Sequence, residues 1–158
     1  MQTNLYLAYG SNLNLAQMRH RCPGARVVGY TFLHDRHPVF RGSGSGNYLT
    51  LDEGAPAWPL GVPCGVFSIT RRDRDALDCY EGYPRFYDRI RVALPRVYSL
   101  QTHRVVLQDV TAMVYLMQPG HPLGLPAHSY WQTCQAGYAD FGFNPDVLRQ
   151  ALLDSTSR

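Results

Sequence analysis

Apolar residues in this chain come in short runs that break on Gly, Pro, Asn and Asp. Leu5-Tyr6-Leu7-Ala8 is a continuous apolar run and reads as a short buried strand. Leu15-Ala16-Gln17-Met18-Arg19 reads as a short helix, ended by the breaker Cys22-Pro23-Gly24. Val27 through Phe40 predicts one long strand or two short ones, interrupted by a turn or solvated edge at His34-Asp35-Arg36-His37. Asn47 to Leu51 and Pro63 to Ile69 predict further strands. The Pro- and Gly-rich stretch from Asp52 to Pro63 is a loop, with Trp58 as its anchor in the core.

The second half alternates in the same way. Thr70-Arg71-Arg72-Asp73 has the form of a capping box and opens a helix to Tyr80. Arg74 and Asp78 are spaced as an i,i+4 pair on its outer face, with Ala76, Leu77 and Tyr80 pointing inward. Gly82 stops the helix and Pro84 follows. Phe86 to Val92 and Val110 to Met117 are strands, while Pro95 through Leu107 holds a strand or hairpin that the pattern does not assign. Gln118 to Pro126 is a loop. Tyr130 to Tyr138 is a helix that buries Trp131, Cys134 and Tyr138. A last helix opens on Asn144 as N-cap, with Pro145 in its first position, and buries Val147, Leu148, Ala151 and Leu152. The tail from Asp154 is expected to fray. Many strands and few helices, without an internal repeat, give an α+β fold in a single domain over residues 1–158.

Composition narrows the function. A chain of 158 residues with 45% hydrophobic and 17% charged residues builds a real core and is not disordered. Net charge is +3, and the basic residues are scattered arginines without a single lysine. No basic cluster interleaves with aromatics, so nucleic acid is not an expected partner. No apolar stretch is long enough to cross a membrane, and no signal peptide is visible. Cys22, Cys64, Cys79 and Cys134 are far apart and form no C-x-x-C pair, which suits buried free thiols. The expected compartment is the cytoplasm.

Two stretches carry candidate chemistry. Tyr9-Gly10-Ser11-Asn12-Leu13 joins a strand to a helix. Gly10 lets a ligand approach the backbone, Ser11 or Asn12 can cap the helix, and the unpaired N–H groups of such a corner suit an anion. The same residues also fit a plain strand-to-helix turn. Glu81 falls at a helix C-terminus among Tyr80, Tyr83, Phe86 and Tyr87. The helix dipole and aromatic desolvation both raise the pKa of a carboxylate there, which makes it a candidate acid/base. An exposed glutamate at a helix end is the other reading, and the residues alone leave both open. Gly42-Ser43-Gly44-Ser45-Gly46 precedes a strand rather than a helix, so it reads as a flexible hairpin connection and not a phosphate loop; a lid over a pocket is its lesser reading. His34 with His37, and His121 with His128, lack convincing metal-ligand spacing. Cys79 lies near Glu81, but nothing ties a histidine to it as a thiolate's partner.

Leu77-Asp78-Cys79-Tyr80-Glu81-Gly82-Tyr83, followed by Phe86-Tyr87, resembles the acid/base segment of the γ-glutamylcyclotransferase family, also called AIG2-like. Tyr9 through Leu13 is similar to its N-terminal signature, and Ser129-Tyr130 through Gly142-Phe143 to its C-terminal helix region. The matches come in the family's order and span nearly the whole chain. The resemblance implies a small, mostly closed β-barrel with flanking helices and a pocket at its mouth. It implies release of 5-oxoproline from a γ-glutamyl compound, with Glu81 as acid/base and no cofactor or metal. Tyr9, Gly10, Ser11, Asn12 and Leu13 would line the substrate site, mostly through backbone groups. Tyr130 matches a family tyrosine that contacts substrate, and Tyr87 looks like a pocket residue. Tyr115 looks like another, although a core aromatic with a satisfied hydroxyl suits it better. The implied partner is a small γ-glutamyl substrate, and a homodimer is in keeping with the family. A non-catalytic binding module, a γ-glutamylamine enzyme and one acting on a larger γ-glutamylated metabolite are the alternatives. The γ-glutamylamine type usually carries Tyr-Gly-Thr-Leu-Lys, whereas Asn12 and Leu13 fit the dipeptide type.

Overall fold

The computed structural model describes residues 4–156. In chain order these form β1 (Asn4–Ala8), α1 (Leu15–Arg21), β2 (Arg26–Leu33), β3 (Arg36–Ser43), β4 (Gly46–Glu53) and β5 (Val62–Ile69). They continue with α2 (Arg71–Tyr80), β6 (Tyr87–Tyr98), β7 (Val105–Met117), α3 (His128–Phe141) and α4 (Asp146–Asp154).

Five strands close into a barrel in the order β1-β5-β2-β6-β7. The closing seam is the parallel pair of β1 with β7, which meets at Tyr6 and Met113, and the other pairs are antiparallel. Closure removes the exposed edges that an open sheet of this size would present. It also explains the unbroken apolar run of β1: Tyr6, Leu7 and Ala8 are all buried. β3 and β4 form a separate two-stranded sheet whose turn falls in the Gly42–Gly46 segment. Side chains tie this hairpin to the rest, Ser155 Oγ accepting from Phe40 N–H at 2.8 Å and Thr50 Oγ1 from Met117 N–H at 3.0 Å. Ser155 is buried, so the tail expected to fray from Asp154 is anchored at that point. Arg158 and Ser157 lie outside the described residues.

The unassigned Pro95–Leu107 segment is the far end of a long ribbon. β6 and β7 pair from Tyr87 with Met117 out to Tyr98 with Val105. Most side chains beyond Leu94 face solvent on both sides, so little apolar alternation marks the strands.

Helix ends follow the local rules. Thr70 and Asp73 form the capping box that opens α2. Gly82, in the left-handed region at φ 65°, lets the chain turn away after Glu81. The Asn144 side chain accepts from Asp146 N–H at 3.0 Å, but α4 begins one residue later than expected, at Asp146, with Pro145 rather than Asn144 in the N-cap position. Two contacts on α2 differ from the pattern. Arg74 faces Asp75 rather than Asp78. Tyr80 is 52% exposed instead of inward, and the Arg21 guanidinium lies over its ring, 4.4 Å from the centroid.

Candidate active site

After β1 the chain makes one 3-10 turn at Ser11–Leu13 before α1. Neither Ser11 nor Asn12 caps α1; the Asn14 side chain does, accepting from Gln17 N–H at 3.0 Å. The N–H groups of Gly10, Ser11 and Asn12 have no acceptor among the described residues. α3 presses against this corner through Gly137, where a Cβ would come within 2.6 Å of Asn14 N and 2.7 Å of Leu13 C. Leu13 has no exposed surface and packs in the core under the corner. It therefore supports the corner from below, whereas Tyr9, Gly10, Ser11 and Asn12 face a cavity of about 340 Å³.

Asn12 is the hub of that cavity. Its Nδ2 donates to Tyr6 Oη at 2.9 Å and to Glu81 Oε1 at 3.1 Å. Its Oδ1 accepts from Gln17 Nε2 at 3.1 Å and Arg21 Nη1 at 3.0 Å. Arg21 offers only donors and the Glu81 carboxylate only accepts, so the amide has one satisfactory orientation and every capacity filled. The buried amide thus fixes Glu81 on one side and Arg21 on the other.

Glu81 sits at the C-cap of α2 with its carboxyl in the cavity. Burial pushes its pKa up from 4.5 to about 7, against the opposing pull of Arg21 and of the Asn12 hydrogen bond. Glu81 therefore titrates close to neutrality, where a group can both take and return a proton.

The opposite wall is aromatic. Tyr130 Oη accepts from Leu49 N–H at 3.1 Å, which leaves its own proton to donate. A Cβ on Gly10 would lie 3.4 Å from that oxygen, so the Tyr130 hydroxyl faces the corner. Tyr87 Oη donates to Leu49 C=O at 2.7 Å and Tyr9 Oη to Tyr115 C=O at 2.6 Å, which leaves both oxygens able only to accept. Burial raises the pKa of Tyr9, Tyr87 and Tyr130, so all three stay neutral. Tyr115 is a buried aromatic with a satisfied hydroxyl, donating to Asp78 Oδ1 at 2.6 Å, and its ring also reaches the cavity.

Several lining residues carry no mark in the sequence: Tyr6, Gln17, Arg21, Tyr48 and Leu49. Ser45 belongs to the glycine-rich turn, which brings that hairpin to the cavity rim. Cys79 is also on the wall, and no histidine is among the lining residues.

The profile of the family described as "Gamma-glutamyl cyclotransferase, AIG2-like" matches residues 6–133, and the chain belongs to that family. No curated protein matches it. Solved structures share its fold. A γ-glutamyl cyclotransferase superposes with a TM-score of 0.74 at 23% identity, over 95% of this chain and 86% of that one. YkqA from Bacillus subtilis gives 0.70 at 18% identity, over 99% of this chain and 55% of its own. An AIG2-like protein from Mus musculus gives 0.57 at 19% identity, over 82% and 88%.

Proposed function

We propose that this chain is a γ-glutamyl cyclotransferase that releases 5-oxoproline from a γ-glutamyl compound, with Glu81 as general base and then general acid. The observation that carries this reading is the Glu81 carboxyl in the cavity, held by Asn12 of the Gly10 corner, with a pKa of about 7. The substrate's α-carboxylate docks on the free N–H groups of Gly10, Ser11 and Asn12. Tyr130 donates its proton to the same end of the substrate. The α-amine, with an ordinary pKa of about 7.7–8.0, arrives mostly protonated. The Glu81 carboxylate takes one proton from it. The amine lone pair then attacks the γ-carbonyl carbon and closes the five-membered ring. As the tetrahedral intermediate collapses, the bond to the leaving nitrogen breaks and Glu81 returns the proton to that nitrogen. The carboxylate so regenerated takes the second proton from the ring nitrogen and passes it to the departing amine, which leaves as an ammonium. The products are 5-oxoproline and a free amine or amino acid, and no water is consumed. Nucleophile and electrophile share one molecule, so the protein's part is to hold the folded conformer and move protons from the attacking to the leaving nitrogen.

The test is 5-oxoproline release from γ-glutamyl dipeptides and γ-glutamylamines by wild type and Glu81→Gln. Release by wild type that is lost in a folded Glu81→Gln supports the reading. Equal release by both removes Glu81 from the chemistry. Binding without release across the panel makes the chain a ligand-binding module.

A further inference from the structure

Among the described residues the cavity wall carries a single cationic side chain, Arg21, and the reaction above leaves it without a role toward substrate. Its guanidinium stacks on Tyr80 and makes one hydrogen bond, from Nη1 to Asn12 Oδ1. No carboxylate among the described residues lies within ion-pair distance of it. A guanidinium has five N–H donors in a rigid fork that matches a carboxylate. Stacked on one face, tethered at one nitrogen and open to a cavity, it is arranged to take a planar anion by its remaining edge.

Position decides which anion. The Asn12 amide separates Arg21 from Glu81 and touches both. The nitrogen that Glu81 protonates must lie within hydrogen-bond reach of it. In a γ-glutamyl α-amino acid, the leaving group's carboxylate carbon is two bonds from that nitrogen, within the neighbourhood of Arg21. A γ-glutamylamine has only hydrocarbon there. The glutamyl α-carboxylate lies at the other end of the substrate and has the Gly10 corner.

We propose that Arg21 is a specificity-determining residue that binds the carboxylate of an α-amino-acid leaving group, so that the chain prefers γ-glutamyl amino acids to γ-glutamylamines. The proposal rests on the cyclotransferase reading.

The experiment compares γ-glutamylalanine with its C-terminal amide, in wild type, Arg21→Met and Arg21→Lys. Arg21 also tunes Glu81, but that effect acts on both substrates alike and cancels in the ratio. Wild type is expected to favour the acid by at least about tenfold in kcat/KM, as for a charge-assisted hydrogen bond. The ratio falls to near one in Arg21→Met and is partly restored in Arg21→Lys. A wild-type ratio near one overturns the proposal. So does an equal loss on both substrates in Arg21→Met, which reduces Arg21 to positioning Asn12. Should Arg21→Met not fold, the wild-type and Arg21→Lys ratios decide. Should wild type turn over neither compound, the cyclotransferase reading fails, and calorimetry with the same two compounds judges the anchor alone. Tighter binding of the acid by wild type but not by Arg21→Met upholds it; equal binding, or none, overturns it.

Discussion

Asp78 and Glu81 lie three residues apart at the end of α2, and they have different surroundings. Asp78 faces the seam between helix and barrel, where it accepts from the Tyr115 hydroxyl at 2.6 Å and pairs with Arg89 at 3.2 Å. Arg89 is itself stacked on Tyr83, 4.1 Å from the ring centroid. Glu81 faces the cavity and, among the described residues, accepts one side-chain hydrogen bond, that of Asn12. Its nearest cation is held back on the far side of that amide. A carboxylate with a cation and a hydroxyl on it joins two elements together. One that is desolvated and given a single neutral donor keeps its proton to about neutrality and is available for chemistry.

The largest effect should separate these two roles directly. Glu81→Gln is expected to lower kcat/KM for 5-oxoproline release by about 10²–10⁴-fold with no loss of folding. Asp78→Asn should stay within a few-fold of wild type when assayed below its melting transition. An equal loss in both would mean that the seam takes part in catalysis and would break the comparison.

Stability should sort the pair the other way. Asp78→Ala leaves the Arg89 charge and the Tyr115 hydroxyl without their partner, and is expected to cost about 1–3 kcal/mol in urea denaturation. Glu81 has the opposite sign. Its folded pKa of about 7 is above the unfolded value near 4.5, so the native state binds more protons between those limits. Wild-type stability therefore falls, relative to Glu81→Gln, as pH rises from about 4.5 to 7, and the deficit is complete above 7. Glu81→Gln should be more stable than wild type by about 1–3 kcal/mol at pH 8 and no more stable at pH 4. A flat difference across that range would show that the cavity does not strain the carboxylate.

The smallest effect sharpens the comparison at Arg21. The acid limb of kcat/KM in wild type should report a group near 7, because the base form of Glu81 is lost below it. Arg21 favours the carboxylate, so Arg21→Met should move that limb to higher pH by under about one unit. A downward shift would contradict the placement of Arg21 beside Glu81.

The residues that the sequence marked and those it left unmarked differ in physical kind. Resemblance to the family marks Glu81, the Tyr9–Asn12 corner, Tyr87 and Tyr130; the local pattern leaves Glu81 and the corner open between a chemical and a plain role. Arg21 is one of fifteen arginines, and no local feature distinguishes it from the rest. The i,i+4 spacing, which is what a sequence displays, pairs Asp78 with Arg74, but Arg89 from β6 and Tyr115 from β7 are its partners. The helical pattern turns Tyr80 inward, yet it lies at the surface with a guanidinium from α1 over its ring.

The sequence by itself determined the α+β alternation and the ends of α2: the Thr70–Asp73 box and the turn at Gly82. Each of these is made by residues within four positions of one another, where backbone geometry and side-chain reach suffice. The tertiary structure alone decided the working surface. The Asn12–Glu81 bond joins residues 69 apart and the Leu49–Tyr130 bond residues 81 apart. Such contacts exist only once the barrel closes β7 on β1 and α3 settles on the corner at Gly137, because only then do the two ends of the chain share one desolvated cavity.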